Sequence, residues 1–234
     1  MTKLDLDWPH NFNEIPKEVF VRKDVYDTEL QRIFHGEEWH PVCHESEIPE
    51  RGDFKTFRLA GIPLLIARGD DGIVRAFFNA CSHRGNQLET APMGNKQEFE
   101  CPYHRWLFST RGDLVGCPNQ REFVPGFNRS EYPLAQPRME SVYGVVFVTM
   151  SARTEPLLEC LGSIVETLRE LVGGDGRLKL LGYQKVRYNT NWKSYTDNDG
   201  YHAPLLHQAF NLLNWQGGKG RQFTSTKRGH IGFE

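Results

Sequence analysis

The sequence predicts an α+β chain. A small all-β domain over residues 38–152 is followed, over residues 153–234, by the beginning of a mixed α/β domain, and a helical segment over residues 1–37 packs on that second domain. Two observations predict this. Between Trp39 and Met150 short apolar runs alternate with Gly- and Asp-rich turns at close intervals, the pattern of a small sandwich or barrel. After residue 153 the period changes, and leucines recur at helical spacing.

Each element has its own signal. Thr28–Phe34 predicts a short helix with Leu30, Ile33 and Phe34 on one face. Trp39, Val42 and the stretch to Ile48 open the β region. Phe54–Leu59, Ile62–Ala67 and Ile73–Phe78 read as strands, parted by Gly61-Ile62-Pro63 and by the hairpin signal Gly69-Asp70-Asp71-Gly72. Trp106–Ser109 and Leu114–Gly116 flank Thr110-Arg111-Gly112-Asp113, a second hairpin. Val142–Met150 reads as one apolar strand. Leu157, Leu158, Leu161, Ile164, Val165, Leu168 and Leu171 predict a single helix that Gly173-Gly174 stops. Leu178–Tyr188 returns to a strand. Trp192–Asn211 mixes loop and helix, Ala209–Trp215 reads as a core helix, and the stretch around Gly217, Gly218 and Gly220 as poorly ordered.

Composition narrows the function classes. A formal net charge of −2 over 234 residues gives no electrostatic reason to expect nucleic acid or an anionic membrane as partner. Asp5 and Asp7 stand where a secretion signal needs a basic start and an apolar run, so the expectation is a cytoplasmic protein. The strongest apolar runs, Ile62–Ala67 and Val145–Val148, are far too short to span a bilayer. Five cysteines, at 43, 81, 101, 117 and 160, argue against a disulfide framework and leave metal binding open. His40, Cys43 and His44 read as the start of a strand, and Cys117 and Cys160 as small buried hydrophobes.

Cys81-Ser82-His83-Arg84-Gly85 is followed, after seventeen residues from His83, by Cys101-Pro102-Tyr103-His104. Two thiolates and two imidazoles suit zinc or an iron–sulfur cluster. The pairing discriminates. A Cys2His2 zinc finger takes both cysteines from one half and both histidines from the other. Here each half contributes one of each. That suits two loops gripping a two-iron [2Fe–2S] cluster, both cysteines on one iron and both histidines on the other, and the imidazoles raise its potential above that of an all-Cys cluster. Gly85 and Pro102 fit tight loops whose N–H groups point at cluster sulfurs.

These residues carry a family resemblance. CSHRG, CPYHRW and Gly112-x-Leu114 resemble the Rieske domain of the oxygenase α subunits that activate O₂ on aromatic or quaternary-ammonium substrates. Arg105 departs from it, standing where many members have Gly. The resemblance extends to the helix before Trp39 and to residues 191–207, and it makes residues 153–234 part of a catalytic domain.

Asn191-Trp192-Lys193 leads into Asp197-Asn198-Asp199 and then His202 and His207, candidate ligands of a mononuclear Fe(II) in a 2-His-1-carboxylate site. Residues five apart lie about 140° apart around an ideal helix. Their imidazoles converge only if the helix is distorted or begins between them, as Pro204 supports. Asp199 lies one turn before His202 and is placed to fix its tautomer. The resemblance implies that Asp199 bridges this iron's histidine to His104 of a neighbouring subunit, with Asp197 the fallback. It also implies a third, carboxylate ligand far downstream. Glu234 is the only acidic residue after His207 and a poor candidate, so the expectation is a C-terminally truncated chain, inactive by itself.

No Gly-x-Gly-x-x-Gly, Walker A or Gly-x-Ser-x-Gly motif is present, so electrons come from a separate ferredoxin or flavin reductase. The resemblance further implies O₂ and a small aromatic or N-alkyl substrate, with hydroxylation or demethylation as the reaction. It implies a homotrimer or an α3β3 assembly. The alternative is a Rieske-type electron-transfer protein without a functional mononuclear iron. A structural zinc protein is a third reading, and it predicts a colourless sample.

Overall fold

A computed structural model describes residues 4–9, 14–175, 177–197, 222–224 and 231–233. Its helices are α1 (Glu18–Val21), α2 (Lys23–Glu29), α3 (Leu157–Leu161), α4 (Ile164–Val172) and α5 (Trp192–Asp197). The strands are β1 (His40–His44), β2 (Asp53–Leu59), β3 (Ile62–Arg68), β4 (Val74–Phe78), β5 (Met93–Asn95), β6 (Glu98–Glu100), β7 (Leu107–Ser109), β8 (Leu114–Gly116), β9 (Arg138–Val142), β10 (Val145–Thr149), β11 (Gln222–Thr224) and β12 (Ile231–Phe233). The chain forms two compact units. The larger is Gln31–Leu180 with Ser225–His230, and the smaller is Met1–Leu30 with Leu181–Thr224 and Ile231–Glu234. No helix among the described residues is long and apolar enough to cross a membrane.

The larger unit is built on the four-stranded sheet β4-β3-β2-β5. Its central strand, β3, is apolar on both faces, and Leu64, Leu65, Ile66 and Ala67 are all fully buried. Successive residues point to opposite faces. Leu65 and Ala67 therefore pack with Phe77, Phe99, Phe108 and the thiols of Cys81 and Cys101. Leu64 and Ile66 pack the other way, with Val42, Val146 and Val148 of the sheet β1-β10-β9. At about 1.5–3 kcal/mol for each buried large apolar side chain, this two-sided strand is the main anchor of the fold. The first face carries the hairpin sheet β6-β7-β8 and the Cys/His loops.

Several sequence expectations are corrected. Val142–Met150 is not one strand. Tyr143 (φ 51°) and Gly144 (φ 80°) form a tight turn that separates β9 from β10. Two left-handed residues match the twist of a hairpin, but Tyr in place of the usual Asn or Asp hid the signal. A Cβ at Gly144 would lie 2.5 Å from Nε2 of His44, so only glycine fits there. The single helix over 157–171 is two, α3 and α4, broken at Gly162 (φ 53°). Both stay in the larger unit, where Leu157, Cys160 and Leu161 bury against Trp39 and Phe147. Leu178–Tyr188 joins no ladder among the described residues, and Leu181, Tyr183, Val186 and Tyr188 are exposed. A strand needs a paired neighbour as well as strand-like composition, and among the described residues this segment enters no sheet. The helix expected at Thr28–Phe34 begins earlier, as α1 and α2, and ends in a single π-helical turn over Leu30–Phe34.

In the smaller unit α5 begins on a backbone carbonyl of α1 and a carboxylate of α2. The Asn191 Oδ1 accepts the N–H of Lys193 at 3.0 Å, and its Nδ2 donates to the Phe20 carbonyl at 3.0 Å. Glu29 accepts from Trp192 Nε1 at 3.1 Å and from Lys193 Nζ at 2.6 and 2.8 Å.

Candidate metal centre

Cys81 and His83 lie on the loop after β4, and Cys101 and His104 on the loop between β6 and β7. The two loops close alike. In the first, the Cys81 N–H donates to the Asn86 carbonyl and the Gly85 N–H to the Cys81 carbonyl, both at 2.8 Å. In the second, the Cys101 N–H donates to the Trp106 carbonyl at 2.8 Å and the Arg105 N–H to the Cys101 carbonyl at 2.9 Å. The match extends to the backbone. Gly85 has φ 73°, and Arg105, at the same place in its loop, has φ 58°. Arg105 therefore occupies a left-handed position that glycine takes at no steric cost. Its Nε donates to Glu100 Oε1 at 2.7 Å across the base of the loop. Both side chains are exposed, so that pair contributes little stability.

The four side chains fall as two pairs. Cys81 and Cys101 are buried together in one core cluster. His83 and His104 meet edge to face, ring centroids 4.8 Å apart. Burial pushes the Cys81 thiol up to about 11, while the N–H groups of His83 and Arg84, aimed at its sulfur, act in the opposite sense. Desolvation first, then the neighbouring His104 and Arg84, lower the pKa of His83, favouring the neutral imidazole that a metal needs. Among the described residues no three or more His, Cys, Asp or Glu side chains converge to hold one metal ion. A thiol pair buried beside an imidazole pair, with backbone N–H groups aimed at a sulfur, fits a two-iron cluster. It does not fit a single tetrahedral zinc.

Aromatic residues that the sequence reading did not single out surround the imidazoles. Trp106 stacks on His83, and Tyr103 lies against His104 at 3.8 Å between centroids. Tyr132 meets Trp106 edge-on at 5.7 Å, and its carbonyl accepts from Ser82 Oγ at 2.8 Å, tying the first loop to the segment that covers the second. Arg84 sits 5.7 Å from the Tyr103 ring centroid and so joins the two loops. His83, Tyr103, His104, Trp106, Phe127 and Tyr132 line an open groove of about 780 Å³. The aromatic spacing Phe123, Phe127, Tyr132 was the available signal. Asp199, His202 and His207 lie outside the described residues, as does Glu234; Asp197 is the last residue of α5.

Comparison with known proteins agrees with this geometry. Residues 38–136 match the family described as the Rieske [2Fe-2S] domain. The chain is 37% identical over 188 residues to the 2-aminobenzenesulfonate 2,3-dioxygenase subunit alpha of Alcaligenes sp., covering 79% of this chain and 47% of that one. It resembles the crystal structure of naphthalene 1,2-dioxygenase from Rhodococcus sp. bound to indole, with a TM-score of 0.82 and 31% identity over 90% of this chain and 51% of that one. It also resembles the quaternary ammonium Rieske monooxygenase CntA in complex with L-carnitine, with a TM-score of 0.79 and 30% identity over 90% of this chain and 59% of that one. The chain spans about half the length of the curated relatives it matches.

Proposed function

This chain belongs to the Rieske oxygenase α-subunit family, and from that premise we propose that it is the electron-receiving part of an oxygenase component acting on a small aromatic or N-alkyl substrate. Cys81 and Cys101, as a thiol pair, and His83 and His104, as an imidazole pair, would hold the [2Fe–2S] cluster. The cluster supplies one-electron exchange with a ferredoxin or flavin reductase, and a mononuclear Fe(II) supplies O₂ activation. The observation that carries this reading is the division of the four donors into a buried thiol pair and an imidazole pair facing the aromatic groove.

The chain's own residues orient these groups. Trp106, itself met edge-on by Tyr132, sets the plane of His83, and Tyr103 that of His104. His202 and His207 would hold the mononuclear iron, and Asp199 would link His202 to His104 of a neighbouring subunit. That link needs a neighbouring subunit, and the assembly proposed is a homotrimer, alone or as α3β3. Asn191, Trp192 and Lys193 are anchored on α1 and α2, which fixes the start of α5, the helix that ends two residues before Asp199 in the sequence.

The test is the EPR spectrum of the dithionite-reduced protein, with iron and zinc measured on the same sample. A rhombic signal averaging below the free-electron g value, with iron present, is expected. No such signal, with zinc bound, overturns the reading. In the complete oxygenase, Asp199→Asn is expected to keep both metals and lose most turnover, and unchanged turnover removes the bridge.

A further inference from the structure

Beneath their matching turns, the two ligand loops are tied to the fold in different ways. The second is closed by a strand ladder, with Glu100 opposite Leu107 and Phe99 opposite Phe108. The first leaves β4 at Phe78 and returns at Leu88 and Glu89, which belong to no strand. There one side chain takes the place of the ladder. Asn79 is 1% exposed. Its Oδ1 accepts the N–H groups of Leu88 at 3.2 Å and Glu89 at 3.0 Å, and its Nδ2 donates to the Glu89 carbonyl at 2.7 Å. Two donors and one acceptor around one amide fix its orientation. Glu89 is itself held. Its Oε1 accepts from the N–H groups of Thr90 and Ala91, and its Oε2 from Lys96 Nζ. The base of the loop bearing Cys81 and His83 thus hangs on a side chain two residues before Cys81.

We propose that Asn79 is a positioning residue that sets where Cys81 and His83 meet the cluster, doing for the first loop what the β6–β7 ladder does for the second. The proposal rests on Cys81 and His83 being ligands. Without the amide, the N–H groups of Leu88 and Glu89 lose their acceptor inside the protein, and the loop opens at its base to satisfy them.

The test is Asn79→Ala in the full-length, cluster-loaded protein. The expected outcome is a cluster that still forms, gives more than one set of g values where the wild type gives one, and is lost to a chelator about tenfold faster. Asn79→Asp keeps the acceptor and is expected to fall between the two. A spectrum, reduction potential and chelator lifetime identical to wild type in Asn79→Ala overturn the proposal. Should Asn79→Ala fail to fold, hydrogen exchange on the wild-type holoprotein decides. The Leu88 and Glu89 amides are expected to be as protected as those of Cys81 and Gly85, and exchange at the rate of an open loop overturns the proposal. Failure of the ligand reading looks different, because a cluster spectrum unchanged in Cys101→Ser removes the ligands themselves, whatever Asn79 does.

Discussion

The indole of Trp106 lies parallel to the imidazole of His83, 4.8 Å between ring centroids and 12° between planes. The indole is also buried in the core that holds both thiols. One residue of the second loop therefore sets the ring plane of a candidate ligand on the first. Trp106→Ala removes a buried aromatic and should cost about 3–5 kcal/mol of stability. Trp106→Phe retains a ring face and should cost less, while narrowing the stack. Denaturant unfolding of both variants, beside the EPR line shape, separates packing loss from reorientation of His83. Equal stability of Trp106→Ala and wild type would remove the role of the stack.

The thiols differ in access. Burial pushes Cys43 up to about 12, and Cys160 is buried too. Cys117 is half-buried and only loosely engaged with Gln120, at 3.9 Å. Thiolate character and exposure govern alkylation. In the cluster-loaded protein, mild alkylation is expected to label Cys117 first and leave Cys43 untouched, as read by peptide mass spectrometry. Labelling of Cys43 at a comparable rate would contradict the packing of β1 on β10.

In the smaller unit Glu29 and Lys193 form an ion pair with both side chains largely buried, 13% and 15% exposed. Trp192 shares the same carboxylate. Removing the carboxylate of such a pair takes a close opposite charge away from a largely buried ammonium, at a cost of about 2–4 kcal/mol at this degree of burial. Glu29→Gln should therefore speed amide exchange along Trp192–Asp197 far more than along β3. Uniform protection in the variant would show that the pair does not hold α5.

Much of this architecture was legible in the sequence, and the exceptions share a cause. Strands β2, β3 and β4 announced themselves because their apolar residues bury against fixed faces and glycines mark their ends. Four ligand-type residues announced their loops by type and spacing. The Tyr143-Gly144 turn did not, because a tyrosine held at φ 51° carries no local signal. Nor did Asn79, whose role depends on residues 88 and 89 returning to it. The equivalence of Arg105 with Gly85 became visible only from the backbone, where both loops need a left-handed residue at one place. Leu178–Tyr188 has the composition of a strand, but a strand is defined by its neighbour.

Glu89 supplies a pH dependence with a definite sign. Burial raises its pKa, but the Lys96 ammonium and the N–H groups of Ala91 and Thr90 outweigh that and hold the carboxyl below its ordinary value. A carboxylate whose folded-state pKa is depressed stabilises the fold fully above its unfolded value and progressively less as pH falls through the folded one. The larger unit should thus lose stability on acidification, starting as pH drops to the ordinary glutamate range. Glu89→Gln keeps an acceptor for Thr90 and Ala91 but loses the charge opposite Lys96. It should cost about 1–2 kcal/mol near neutral pH. It should also flatten the acid limb, so that wild type and variant converge at low pH. Urea unfolding from neutrality down through that range measures both. Parallel curves would place the acid sensitivity in other carboxylates and reduce Glu89 to a polar filler at the base of the first ligand loop.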